Sequence, residues 1–278
     1  MLLLNLIFEY QFLQNALIAG LLTSIVCGII GVIIVEKKLV MMSGGIAHTA
    51  YGGVGLGYLL GIEPIIGALG FAVVSACGIG AVRRRGGASA EVIIAMLWSF
   101  GMALGILFIG VMPGYPPDIN SYLFGNILSV TKSDILMEII ICLAVMLVIC
   151  IFYNDWKAYL FDEEFSFILG LKTKLLEYTL LIMTAMAVVV LIKVVGIVLI
   201  LALLTAPAAT SALLSKRLGA RMLISVILGC VYCFFGLWLS YDFNIPSGST
   251  VIILSVLCYF IVYFAKSVFQ RKKHIVYK

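Results

Sequence analysis

Charged residues are scarce in this sequence: they make up only 11% of its 278 residues, whereas 64% are hydrophobic. A soluble domain carries about 25% charged and about 45–50% apolar residues, so this composition excludes an ordinary water-soluble fold. Apolar stretches long enough to cross about 30 Å of hydrocarbon recur along the chain. Because the alternating pattern of membrane strands is absent, these stretches are predicted to be helices. The sequence therefore predicts an all-α, polytopic transmembrane bundle.

Enzymatic motifs are absent as well. There is no GxxxxGK[ST] loop, so the chain is not expected to bind ATP in the P-loop manner. The HExxH and GxSxG patterns of hydrolases are missing, and the chain has only two histidines. These absences argue against an enzyme. If the chain takes part in ATP-driven transport, another subunit must hydrolyse the ATP.

Seven cysteines all fall within apolar stretches, which argues against a disulfide framework. Cys230 and Cys233 form a CxxC, a zinc or redox motif when it lies in a cytosolic loop. Inside an apolar helix the pair is more typical of small packing residues. The N-terminus shows no basic region followed by a cleavage site, so no removable signal peptide is expected.

Basic residues predict the topology. With the N-terminus outside and the C-terminus cytoplasmic, all but two of the 18 Lys and Arg residues face the cytoplasm, the exceptions being Lys132 and Lys193. This asymmetry makes the basic residues topology signals rather than a nucleic-acid surface. We predict eight to nine spans within one transmembrane domain over residues 1–278, with a bundle over 12–265 and a basic tail over 266–278. The candidate spans are residues 12–35, 39–61, 64–82, 92–112, 134–153, 176–192, 195–215, 222–240 and 250–265.

Two interruptions separate the spans. Residues 113–133, on the outside, begin with a proline cluster that cannot continue a helix. The semi-apolar stretch 122–130 that follows is too short to span and is expected to be re-entrant or interfacial.

The second interruption, residues 154–177, is the longest cytoplasmic loop. It places Asp162, Glu163 and Glu164 before apolar residues at helical spacing and ends them at Gly170. Acidic residues suit a first helical turn and glycine suits a helix end, so a short amphipathic helix is predicted. Surface-bound helices usually carry Lys and Arg on the polar face, and this helix is acidic, which favours a protein partner over the lipid surface.

His48 lies near the middle of the second predicted span. Ionisable residues at that depth are candidate functional groups, and imidazole is a common metal ligand. We expect His48 to face a polar passage; the alternative is a histidine packed inside the bundle. Gly44, Gly45 and Gly52 lie nearby and either permit close helix packing or leave room for a solute.

Two further sets of residues are candidates to line a path. Thr205, Pro207 and Ser211 in the seventh span are typical either of a broken helix at a substrate site or of a simple kink. Asp134 and Glu138 share one helix face at the start of the fifth span, with Asp118 and Asp242 in neighbouring outer loops. Together these acids predict an entrance that concentrates cations, although each is separately compatible with a solvated loop charge.

Several segments in the same order resemble the permease subunits of ABC importers for zinc, manganese or iron, over about residues 13–263. The segments are LVMMSGGIAHTAYGGVGLGYLLG, FDEEFSFILGLKTKLLEY, VVGIVLILALLTAPAATSALLS and YDFNIPSGST. The resemblance implies a prokaryotic cytoplasmic-membrane complex of two permease copies, two ATPases and an extracytoplasmic metal-binding protein. It also implies no permanently bound cofactor, ATP only on the partner, and a coupling helix containing Asp162, Glu163, Glu164, Phe165, Gly170 and Leu171.

One residue departs from the family pattern. Gly44 stands where the family carries an aspartate four residues before the histidine, so half of a His–Asp pair is missing. Either another helix supplies oxygen, with Glu138 the first candidate, or the cargo is handled differently. Because imidazole suits zinc and iron and carboxylates suit manganese, the loss favours zinc slightly. A gradient-driven transporter or channel and a permease for a metal chelate remain alternatives.

Overall fold

Helices account for nearly all of residues 10–85, 90–114, 119–125 and 127–276, which are the residues that the computed structural model describes. These residues form no strand, and the predicted all-α bundle is confirmed. A short 3-10 helix lies at Ile127–Ser129. The α-helices are α1 Gln11–Glu36, α2 Val40–Leu60, α3 Pro64–Arg85, α4 Ala90–Val111, α5 Ile119–Phe124, α6 Lys132–Ile151, α7 Tyr153–Phe161, α8 Glu163–Ile168, α9 Thr173–Leu214, α10 Leu218–Phe243 and α11 Ser247–Val276.

Seven of the described helices are long and apolar enough to cross a membrane: α1, α3, α4, α6, α9, α10 and α11. Helix α2 is not among them, although residues 42–55 are all buried. It packs between α3 and α4 and also touches α9. Since its surroundings are protein rather than lipid, α2 can carry glycines and a histidine in place of large apolar side chains.

Helix α9 reverses direction at Gly196. A straight helix of its 42 residues would be about 63 Å long, yet both of its ends lie beside the short helix α8. Gly196 has φ 77° and ψ 162°, a conformation essentially restricted to glycine. The predicted spans 176–192 and 195–215 correspond to the parts of α9 on either side of the reversal. The number of spans and the orientation of the termini stay predictions.

Ion pairs between helices lie at one end of the bundle, which we call the basic end. There Arg83 and Arg84 both pair with Glu177, at 2.8 and 2.7 Å. Arg221 pairs with Glu36 at 2.6 Å in the same region. Helices α7 and α8 also lie at this end, against the start of α9.

Helix α5 and the 3-10 helix lie at the opposite end of the bundle. Ile127 is buried against α1, and the Asn15 amide donates a hydrogen bond to the Val130 carbonyl at 3.1 Å. Gly125 meets Gly196 backbone to backbone. The described residues of the stretch predicted to be re-entrant or interfacial therefore pack against the helix ends, beside the reversal of α9.

Candidate functional site

The imidazole of His48 stacks on the indole of Trp98 from α4. The ring centroids are 4.1 Å apart and the ring planes differ by 19°. His48 is only 9% exposed, and its Nδ1 atom is buried without a hydrogen-bond partner. The structure thus places an aromatic ring, rather than an open passage, against this face of the imidazole. The unpartnered nitrogen is unusual for a buried polar atom and leaves His48 a ring nitrogen that can act as a ligand.

The glycines around His48 serve helix packing. A Cβ atom at Gly44 would lie 2.6 Å from the Trp98 ring, and one at Gly45 would lie 2.9 Å from the Ile94 side chain. At Gly52 a Cβ would come within 2.8 Å of the Gly101 carbonyl oxygen. The space beside these glycines is occupied by α4, so in this conformation they permit close approach of helices rather than lining a solute path.

Glu138 is completely buried, with one carboxylate oxygen accepting a hydrogen bond from the Thr23 hydroxyl at 3.3 Å and the other unpartnered. Its helix, α6, packs mainly on α1 and α9, whereas α2 packs mainly on α3 and α4. That Glu138 supplies an oxygen beside His48 therefore stays a prediction, which would need α6 to approach α2. Among the described residues, no group of three or more His, Cys, Asp or Glu side chains is arranged to hold a metal ion.

The acidic residues predicted to form an entrance have different surroundings. Asp134 is buried, forms a capping box with Thr131 and pairs with Lys193 at 2.8 Å, so its carboxylate stabilises the start of α6 and joins it to α9. Asp242 is exposed near the end of α10. Asp118 lies outside the described residues.

The hydroxyls of the seventh predicted span bond within their own helix. Thr205 donates to the Leu201 carbonyl at 2.7 Å, and Ser211 donates to the Ala208 carbonyl at 2.7 Å. Helical geometry continues through Pro207, and the non-helical backbone of α9 lies at Gly196. These hydroxyl groups are satisfied within their own helix in this conformation, and their place on a substrate path stays a prediction.

The CxxC pair contributes to packing. Cys233 is buried, with its Sγ 3.5 Å from the Ser24 hydroxyl, and it closely approaches Gly20 of α1. Cys230 is half-buried, and both thiols are free. The packing interpretation of this pair fits the structure.

The acidic loop contains the predicted short helix. The Asp162 carboxylate accepts a hydrogen bond from the Phe165 amide at 2.9 Å and so caps α8. Gly170, with φ 85°, ends the helical segment, and the Leu171 amide returns to the Ser166 carbonyl. The acidic first turn and the closing glycine have the roles that the sequence predicted.

The apolar face of this loop is uncovered. Phe161 is 91% exposed, and Ile168 is 78% exposed. Phe161, Phe165 and Leu169 are among the apolar residues that line a groove of about 690 Å³. The groove also contains the exposed cations Lys157, Lys216 and Arg217, and the buried Arg221 paired with Glu36. An apolar face next to exposed cations is suited to a protein surface of complementary shape and charge.

Sequence reasoning missed two residues of this arrangement. Trp98 was one aromatic residue within an apolar stretch, and nothing in its spacing indicated the contact with His48. Lys37 had been interpreted only as a topology signal, yet its ammonium pairs with Glu163 at 2.8 Å and lies over the Tyr159 ring. Both contacts join positions far apart in the chain.

Comparisons with known proteins agree with this architecture. The model of the ABC 3 transport family matches residues 9–266. The chain is 37% identical over 253 residues to an uncharacterized membrane protein of Synechocystis sp., covering 91% of this chain and 90% of that protein. It is 34% identical over 280 residues to the manganese transport system membrane protein MntC of Listeria innocua, covering 99% and 100%.

A solved structure, PsaBC from Streptococcus pneumoniae in complex with Fab, superposes with a TM-score of 0.85 at 30% identity and covers 94% of each chain. The match of the family model extends over nearly the whole described bundle, from the start of α1 into α11. The resemblance to metal ABC transporter permeases that the sequence motifs indicated is confirmed, and the chain belongs to the ABC 3 transport family.

Proposed function

We propose that this chain is the membrane subunit of an ATP-driven importer that carries a divalent transition metal into the cytoplasm. The observation that carries the proposal is the uncovered apolar face of α8 beside the basic groove. A helix that exposes Phe and Ile side chains at a charged end of the bundle needs a partner to cover it. A cytoplasmic ATPase is the partner that membership of this family supports.

The charges around the groove specify the ATPase surface further. Lys157, Lys216 and Arg217 are exposed, whereas Asp162 is committed to capping α8 and Glu163 to Lys37. Because Phe161 and Phe165 are exposed in the groove, we expect the ATPase surface to place an apolar side chain against them. We expect carboxylates around it, because opposite charges across a rim guide association and fix register.

Manganese is the cargo to test first. The relative from Listeria innocua is described as a manganese transport protein and matches the whole length of this chain. The slight preference for zinc rested only on the missing carboxylate at Gly44, and the comparisons give it no support. Hard carboxylate and carbonyl oxygens suit manganese, so the cargo site is expected to gather oxygen ligands around His48 when the bundle rearranges.

His48 is the metal-contacting group in this proposal. It is the one histidine within the predicted spans, it lies in the buried centre of α2, and its Nδ1 is free to accept a bond. In the described conformation Trp98 covers the ring. We propose that the transport cycle separates the two rings and admits the ion. Such a site should bind loosely enough to release its cargo.

The remaining partners follow from the family and the charge distribution. We propose that the basic end faces the cytoplasm, which is the orientation that the excess of Lys and Arg there favours. A second permease copy would complete the passage, and an extracytoplasmic metal-binding protein would deliver the ion to the opposite end. Neither a permanent cofactor nor nucleic acid has a place in this scheme.

Reconstitution tests the proposal directly. The chain, its ATPase and its binding protein in liposomes should accumulate Mn²⁺ only when ATP is present, and an ATPase variant that cannot hydrolyse ATP should abolish uptake. Uptake by this chain alone under an ion gradient would contradict the proposal and favour a secondary transporter or channel. Uptake of a metal chelate but not of free Mn²⁺ would contradict the cargo assignment while keeping the ATP-driven mechanism.

A further inference from the structure

Lys37 connects the helix that is exposed to a partner with the helix that carries His48. It lies in the three-residue turn between α1 and α2. Its ammonium is 2.8 Å from a carboxylate oxygen of Glu163, the first residue of α8. The same ammonium lies 3.5 Å from the centroid of the Tyr159 ring on α7. One side chain thus contacts both helices of the cytoplasmic loop.

The turn around Lys37 is held in place by backbone hydrogen bonds. The Lys37 amide bonds to the Ile33 carbonyl at 3.0 Å, and the Leu39 amide bonds to the Ile34 carbonyl at 2.8 Å. Lys38 adopts a left-handed backbone with φ 58°, which an L residue adopts only when its surroundings enforce it. Helix α2 begins at the next residue after this turn, so a displacement of Lys37 is passed to the start of α2.

The α7 residues that meet Lys37 are also held in place by packing. Tyr159 and its neighbour Trp156 are both completely buried and pack edge to face. Burial, together with the carboxylates of Glu163 and Glu177, raises the pKa of the Tyr159 phenol. The ring therefore remains neutral and offers its π face to the ammonium, and Glu163 supplies the negative charge.

The Lys37–Glu163 ion pair is partly shielded from solvent, unlike the neighbouring charges. The Lys37 side chain is 11% exposed, whereas that of Glu163 is 38% exposed. The next acidic residue, Glu164, and the next basic residue, Lys38, are both exposed to solvent. Of two adjacent lysines and two adjacent glutamates, the structure selects one of each for this pair.

We propose that Lys37 is a positioning residue that transmits the movement of α8 to α2, and through α2 to His48. The inference rests on the proposed function, because the movement of α8 comes from the ATPase. His48 lies eight residues beyond Val40, about 12 Å along the helix axis, so a shift or tilt at the start of α2 reaches the imidazole and its contact with Trp98. The Lys37–Glu163 pair is the specific contact through which the coupling helix α8 would move α2.

The test measures the Mn²⁺ ions transported per ATP hydrolysed by the complete complex in liposomes. Lys37→Met should lower this ratio about tenfold, a typical size for coupling between two sites, while the ATPase still co-purifies and still hydrolyses ATP. Glu163→Gln should act in the same direction. Lys37→Arg keeps the charge and the π contact and should retain most of the coupling.

The neighbouring lysine provides a matched control. Lys38→Met removes the same charge one position away, outside the coupling helix, and should leave the ratio unchanged. The exchanged pair Lys37→Glu with Glu163→Lys restores the ion pair but not the contact of an ammonium with the Tyr159 ring, so it should recover part of the coupling that either single change loses. This exchange also separates transmission from folding if Lys37→Met prevents assembly.

Two results would overturn the inference. The first is a ratio in Lys37→Met equal to that of the wild type. The second is a loss of hydrolysis and transport in equal proportion that the exchanged pair does not restore. Failure of the proposed function is distinguishable, because the wild-type complex itself would then show no ATP-dependent Mn²⁺ uptake.

Discussion

Trp98 lies flat against His48, and the room for its indole comes from Gly44, one helical turn before the histidine. A Cβ at Gly44 would be 2.6 Å from the indole, closer than real Cβ contacts allow. The glycine and the tryptophan are therefore a matched pair, in which the missing side chain at one position makes room for the large one at the other.

This pairing predicts coupled stability effects. Gly44→Ala should destabilise the protein because the new methyl group meets the indole, and Trp98→Ala should remove that obstacle. In a double-mutant cycle the two changes together should cost less than their sum, by about 1 kcal/mol. Thermal unfolding in detergent measures the cycle. Gly78→Ala is the control, since a Cβ there meets nothing within 4 Å; strict additivity of the cycle would show that the contact is absent in solution.

His48 predicts the largest transport defect. Since its Nδ1 is unpartnered, His48→Ala removes a ligand without leaving another buried group unsatisfied. ATP-dependent Mn²⁺ uptake should fall about 100-fold, as reported for disrupting groups around metal sites, while the complex still assembles. Trp98→Phe keeps an aromatic ring over the imidazole and should retain uptake. If His48→Ala transports at the wild-type rate, the imidazole does not contact the cargo.

The fold was predictable from sequence to a greater extent than the site. Long apolar runs placed the helices within a few residues, as at α1, where residues 12–35 were predicted and Gln11–Glu36 observed. The cap at Asp162 was predictable because it depends on residues three positions apart. Local spacing is sufficient for features of this kind.

The side-chain contacts were not predictable, because they join distant positions. Asp134 resembled an entrance acid until the structure placed Lys193, 59 residues later, against it. Pro207 suggested a break in the helix, yet the break lies at Gly196, where Gly125 approaches the backbone. Which helix faces which is set by packing across the bundle, and single-sequence periodicity does not record it.

Gly196 predicts a strong conformational requirement. Gly196→Ala forces a side chain onto a backbone with φ 77° and ψ 162°, and its Cβ would be 2.2 Å from the Gly125 amide nitrogen. The strain alone should destabilise the fold by about 2 kcal/mol. We expect less folded protein and a lower unfolding temperature in detergent. Gly70→Ala, where a Cβ meets nothing within 4 Å, should change neither; equal behaviour of the two variants would argue against a reversal at Gly196.

Glu177 predicts a stability defect at the basic end. Its side chain is 2% exposed and is shared by Arg83 and Arg84, whose side chains are 30% and 31% exposed. Glu177→Gln leaves two guanidinium groups without their carboxylate. Because both arginines retain partial access to water, the expected loss is about 2 kcal/mol, below that for a fully buried pair. The free energy of unfolding measures it, and an unchanged value would mean that the arginines find water or other partners at no cost.

Glu138 provides the contrasting carboxyl group. It is completely buried like Glu177, but its described side-chain partner is the Thr23 hydroxyl, and one of its oxygens is unpartnered. Glu138→Gln preserves the shape and the acceptor for Thr23, so stability should change by no more than about 1 kcal/mol. Uptake of Mn²⁺ should stay within about twofold, a change of under 0.5 kcal/mol in barrier, because α6 packs mainly on α1 and α9 rather than on the helix of His48. A loss as large as that of His48→Ala would instead place Glu138 on the path of the ion and require a conformation in which α6 approaches α2.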